Sequence, residues 1–105
     1  MKLINNELRA RFRKVGRQEE GERSKVIAKF FAPVGAGTWL ATEYDPKTHI
    51  FYGCVLLFPD IGWEWGSFSL EELESVTLPL GLKIERDIYC PELTVKEHKN
   101  LLGYN

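Results

Sequence analysis

A chain of 105 residues, 44% hydrophobic and 28% charged, has the length and composition of one folded domain around one core, which excludes both a multidomain enzyme and a disordered tail. No apolar run approaches the roughly 18 residues of a membrane-spanning helix, and "MKLINNELRARF" carries neither the apolar segment nor the cleavage site of a secretory leader, so a cytoplasmic protein is expected. The net charge of −1 is unevenly spread, +4 over residues 1–25, 0 over 26–59 and −5 over 60–105, and these two ends either steer a charged partner or attract one another across the fold.

Ile4, Leu8, Phe12 and Val15 recur at helical spacing and predict a first helix from an Asn6 cap to Val15, stopped by Gly16. Arg9 and Arg13 fall opposite this stripe, and Arg11 lies beside it, where its stem packs and its head stays in water. The charged "GRQEEGERS" (16–24) reads as a surface loop. From Ser24 the period becomes two: "SKVIAKFFAP" predicts a strand with Val26, Ala28 and Phe30 on one face and Ile27, Lys29 and Phe31 on the other, ended by Pro33. "TWLATEY" (38–44) predicts a second strand, and the Asp45–Pro46 turn leads into "IFYGCVLLF" (50–58), apolar on both alternating sets and so an interior strand covered on both faces. Gly53 within it predicts a bulge or a closely packed ring. The short connections imply antiparallel neighbours.

In "GWEWGSFSLEEL" (62–73), strand alternation sends Trp63, Trp65 and Ser67 one way and Glu64, Gly66 and Phe68 the other. Ser69 with Glu72 then forms a capping box, and Phe68 with Leu73 a hydrophobic staple, so the stretch is a strand-to-helix corner. "LKIERDIY" (82–89) alternates Leu82, Ile84, Arg86 and Ile88 inward against charged residues and predicts an outer strand. An inward Arg86 needs a carboxylate partner, for which Glu64 and Glu43 are the candidates. Thr94 and Glu97 cap a last helix with Val95, His98, Leu101 and Leu102 inward, ended by Gly103. The fold expected is α+β: a single domain over 1–105 with a mostly antiparallel sheet of four to five strands, an N-terminal helix, a short helix between strands and a C-terminal helix.

Reactive groups are sparse. Cys54, Cys90, His49 and His98 are zinc-type donors, but no pair is close in sequence, so no metal and no cofactor is expected. His98 reads as a satisfied core-edge histidine, and both cysteines as reduced hydrophobes. Neither Ser67 nor Ser69 stands in a glycine elbow, and no lysine or arginine adjoins Cys90 to lower its pKa, so no enzyme is expected.

Two binding surfaces remain. Trp63 and Trp65 with Glu71, Glu72 and Glu74 suit an interface centre with a polar rim, facing a basic host protein such as a nucleic-acid-processing enzyme. Alternatively, Arg9, Arg13, Lys14 and Arg17 follow a phosphate backbone while Trp39, Trp63, Trp65 or Tyr44 stacks on unpaired bases, as in a small nucleic-acid-binding regulator. The glutamates in the same N-terminal third dilute that field.

The strings "LINNELRARF", "VIAKFFAPVGAGTWLATEYD", "GSFSLEELESV" and "LPLGLKIERDIYCP" together resemble a small bacterial family, the domain of unknown function 2958, over nearly the full chain. The resemblance implies a cytosolic protein carried by plasmids, phages and other mobile elements, and no established activity. By analogy with other small proteins of such elements it also implies a binding role against a host defence enzyme, of anti-restriction or anti-CRISPR type. "GWEW" is the most individual part.

Overall fold

The computed structural model describes residues 2–103. Helix α1 (Asn6–Val15) is followed by strands β1 (Ala28–Phe31), β2 (Thr38–Asp45), β3 (Ile50–Leu56) and β4 (Trp63–Ser69). Helix α2 (Leu70–Ser75), the two-residue strand β5 (Glu85–Arg86) and helix α3 (Val95–Leu102) come next. All strands pair antiparallel in one sheet of order β4-β3-β2-β1-β5, the α+β architecture that the sequence predicts.

The sheet is covered on both faces. On one side α1 sets Leu8 and Phe12 against Phe30, Trp39 and Phe51, and α2 adds Leu70 and Leu73. Phe51 is the hub, its ring centroid 5.8 Å from Phe12, 5.2 Å from Phe30, 4.7 Å from Tyr44 and 5.3 Å from Phe68. Removing such a fully buried ring costs about 3–5 kcal/mol. On the other side α3 covers a smaller core of Val26, Leu40, Cys54 and Val95, with Trp63 and Cys90 at its margin.

Several local expectations are corrected. Asn5, not Asn6, caps α1: the Leu8 N–H donates to Asn5 Oδ1 at 2.8 Å, and Asn6 is already helical. Val26 does not share a face with Ala28 and Phe30. The Ile27 N–H bonds to the Ala41 carbonyl at 2.9 Å while Ala28 also pairs with Ala41, so two residues meet one, the alternation reverses, and Val26 turns to the α3 side. β3 is interior but not covered throughout, since Tyr52 is exposed and the strand ends before exposed Leu57 and Phe58. The bulge lies across from Gly53, in β2 between Ala41 and Glu43. Gly53 itself passes so close to Leu40 that an added Cβ would sit 1.9 Å from the Leu40 carbonyl oxygen.

"LKIERDIY" pairs over only two residues because Asp87 starts a turn: its Oδ1 accepts from the Tyr89 N–H at 2.9 Å and its carbonyl from the Cys90 N–H at 3.3 Å. Ile88 therefore points into solvent instead of inward, and so does Leu101 on α3. Cys90 lies in this turn region. Arg86 Nη1 donates to the Lys2 carbonyl at 3.0 Å. Glu64 cannot serve it, lying on the strand at the far edge of the sheet, and Glu43 accepts from the Gln18 N–H at 3.2 Å. Arg11, beside the apolar stripe, extends to Glu92 at 3.0 Å, one place where the basic and acidic ends meet.

Candidate functional site

β4 pairs with β3 along its whole length, from Trp63 opposite Leu56 to Ser69 opposite Ile50, and ends the sheet. Its other side therefore presents seven residues of backbone without a strand partner among the described residues. Natural edges are usually blunted by lysine, proline or bulges; this one carries a single charge, Glu64, and neither lysine nor proline.

The two borders of this edge differ. Trp63 and Trp65 share one face, as alternation predicts, and that face is the α3 side. Trp63 is half-buried beneath Lys99, whose Nζ stands 5.8 Å from the ring centroid, and its indole N–H is buried without a hydrogen-bond partner among the described residues. Trp65 is 38% exposed and stacks on Tyr52 of β3, centroids 6.0 Å apart and planes at 24°. Trp39 is buried on the opposite face, and Tyr44 packs among Phe12, Phe51 and His49, so these two rings present no platform for a base.

Glu71, Glu72 and Glu74 belong to the other border, because α2 buries Leu70 and Leu73 on the α1 side. The tryptophans and glutamates thus flank the β4 edge instead of forming one patch. Ser69 caps α2 by accepting from the Glu72 N–H at 3.3 Å, and donates to Glu71 Oε2 at 3.3 Å; the reciprocal capping box is found at Thr94 and Glu97 instead. Glu71 accepts a hydrogen bond from His49 Nδ1, which is the main reason its pKa lies below the ordinary carboxylate value. Glu72 and Glu64 border a depression of about 370 Å³ floored by Trp39, Val55, Phe68 and Leu73.

The basic residues are also divided. Arg9 interacts with the Tyr44 hydroxyl close to Glu71 and Glu74, whereas Arg13 and Lys14 occupy the exposed end of α1. Arg17 pairs with Glu19 at 2.9 Å, both well exposed. Arg13 and Arg17 line a cleft of about 590 Å³ with Tyr44 and Tyr52; it adjoins one of about 730 Å³ in which Arg17, Glu19 and Glu43 face Tyr52 and Trp65. Arg17 and Trp65 therefore share a cleft, which no sequence spacing signals. Glu19, Glu43 and Asp45 line the same clefts and offset the arginines.

A second pairing hidden in the sequence is Cys90 with His98, Sγ to Nε2 at 3.7 Å. Burial, then Asp87, pushes the thiol up to about 11, and burial holds His98 below its ordinary value. His98 Nε2 also lies 3.2 Å from the Pro91 carbonyl, to which it must donate, so it carries a proton and cannot take one from sulfur. Among the described residues no group of three or more His, Cys, Asp or Glu could hold a metal, and no helix is long and apolar enough to cross a membrane.

A meander sheet closed by a short strand at one edge, and open at the other between an aromatic and an acidic border, defines a small α+β domain. Residues 3–97 match the model of the family described as "Protein of unknown function (DUF2958)", and the chain belongs to that family. No curated protein and no solved structure matches it.

Proposed function

We propose that this domain is a non-catalytic binding protein, carried by a mobile genetic element and acting in the cytoplasm, whose partner is a basic host protein of the nucleic-acid-processing kind. An anti-restriction or anti-CRISPR inhibitor is the form such a role takes. The observation that carries the reading is the open β4 edge with the Trp65–Tyr52 pair on one border and Glu64 and Glu72 on the other. Tyr52, Leu57, Phe58, Ile61 and Trp65 are all exposed and belong to β3, β4 or their connection, which puts the apolar surface beside this edge. Aromatic anchors supply affinity there, while the carboxylates steer a cationic partner.

Affinity capture from nuclease-treated host lysate tests it. Capture should persist after nuclease treatment, be lost with Trp65→Ala, and weaken with Glu72→Lys combined with Glu74→Lys; Glu71 is spared because it holds His49. Capture that requires intact nucleic acid would defeat the reading.

The shared cleft of Arg17, Tyr52 and Trp65 favours a second reading, a nucleic-acid-binding regulator in which the rings stack on bases and Arg13, Lys14 and Arg17 meet phosphates. A gel-shift complex that weakens steeply with salt and disappears when those three residues are reversed to glutamate would place this reading first.

A further inference from the structure

We infer that the β4 edge is completed by an extended basic segment of the partner, which adds to the sheet as a sixth strand and alternates apolar side chains with lysine or arginine. The inference rests on the protein-binding reading above and specifies what the partner presents.

Main-chain geometry comes first. β4 offers seven residues of unpaired edge, about 23 Å at ~3.3 Å per residue, which is the length of an ordinary partner strand. Midway, among the described residues, Gly66 has no atom within 4 Å of the position its Cβ would take, so the α1 face of the strand is open there. A strand laid there sends alternate side chains to the two faces of the sheet. Toward α1, residues 64–69 wall the depression of about 370 Å³ whose floor is Trp39, Val55, Phe68 and Leu73 and whose border carries Glu64 and Glu72, so the stem of a lysine or arginine fits it with the charge at the carboxylates. Toward α3, the next side chain meets the exposed face of Trp65 on Tyr52, and an apolar side chain suits it, because Arg17, paired with Glu19 at 2.9 Å, already lines that cleft.

Charge chooses the occupant. Residues 63–75 contain Glu64, Glu71, Glu72 and Glu74 and no lysine or arginine. A second copy docking edge to edge would bring these acids against themselves, whereas a basic segment is complementary.

The test uses a blocked peptide of seven residues, the length of β4, alternating arginine and valine, titrated into the isotope-labelled full chain and followed by amide NMR. Controls are a glutamate–valine peptide and two arginine–valine peptides N-methylated on one or the other alternate set of amides. The parent peptide should shift and protect β4 amides. One N-methylated phase should bind within about twofold of the parent and the other at least about tenfold more weakly, because only one set of amides faces the edge. Trp65→Ala and Glu72→Lys should each weaken binding by about tenfold. Equal binding of the two N-methylated peptides, equal binding of the glutamate–valine peptide, absence of β4 shifts, or an edge-to-edge dimer in sedimentation would each overturn strand addition. If the peptides fail while capture stays nuclease-resistant and Trp65-dependent, strand addition is wrong and protein binding stands. If capture needs nucleic acid, protein binding itself falls.

Discussion

Glu71, in the first turn of α2, accepts a hydrogen bond from Nδ1 of His49, the residue just before β3. His49 holds a left-handed backbone, φ 60°, which a histidine adopts at some cost, and its carbonyl accepts from the Leu70 N–H at 3.0 Å. The same carboxylate that extends the acidic border therefore also pins the corner between the β2–β3 turn and α2.

A stability difference that depends on pH follows. The hydrogen bond from His49, helped by the helix amide and Ser69, lowers the folded pKa of Glu71. A lowered folded value contributes stability that is fully present above the unfolded pKa, about 4.3, and is lost as pH falls through the folded value. Glu71→Gln should melt below wild type at pH 7, and the two melting temperatures should converge in acid. Equal melting at pH 7 would show that the pairing contributes nothing.

The three tryptophans are unequal in exposure: Trp39 is buried, Trp63 half-buried and Trp65 exposed. Iodide should quench only part of the emission, and Trp65→Phe should remove most of that accessible part. An unchanged quenching curve would mean that Trp65 is not the open ring, and the aromatic border would lose its anchor.

Much of this arrangement is legible in the chain, and the failures have definite causes. Period-two alternation assigns Trp63 and Trp65 to one face of β4, and the Ser69 cap marks where α2 begins. Neither says that α2 will swing to the opposite face and carry Glu72 with it, because that depends on Leu70 and Leu73 finding the α1 core. Alternation in "LKIERDIY" suggests eight paired residues, but Asp87 bends the backbone after two. The shift from Asn6 to Asn5 as cap is a one-residue matter between identical side chains, settled by which one reaches the Leu8 amide. The nearness of Arg17 to Trp65, and of Cys90 to His98, arises only when distant segments pack.

Gly53 and Gly66 pair with one another across β3 and β4 yet should respond oppositely to alanine. At Gly53 the new Cβ meets the Leu40 backbone at 1.9 Å, so the β2–β3 pairing must shift, and a loss of at least about 2 kcal/mol is expected in urea unfolding. At Gly66 nothing lies within 4 Å, and alanine should be close to neutral, within about 1 kcal/mol of wild type. A mild Gly53→Ala would indicate that the two strands approach less closely.

Cys90 should be a sluggish thiol. With its pKa pushed up to about 11, little thiolate exists at pH 8, and iodoacetamide should alkylate it far more slowly than free glutathione, with a rate that climbs into strong alkali. Rapid alkylation at neutral pH that vanished with His98→Gln would establish an activated pair and reopen thiol chemistry.

The strand order also has a consequence for synthesis. Strands β1 to β4 each pair with the next one in the chain, so these hairpins close over short loops and can form while the ribosome is still adding residues. β5 must return from Arg86 to Phe30, and the start of α3 is stitched to the β1 approach by the Val26–Leu93 and Val95–Ser24 backbone bonds, all of which require residues 85–95 to have emerged. Until then the nascent sheet exposes β1 as well as β4. A chain whose residues 85–95 have not yet docked is thus a sticky, two-edged intermediate, and their arrival caps only the β1 side.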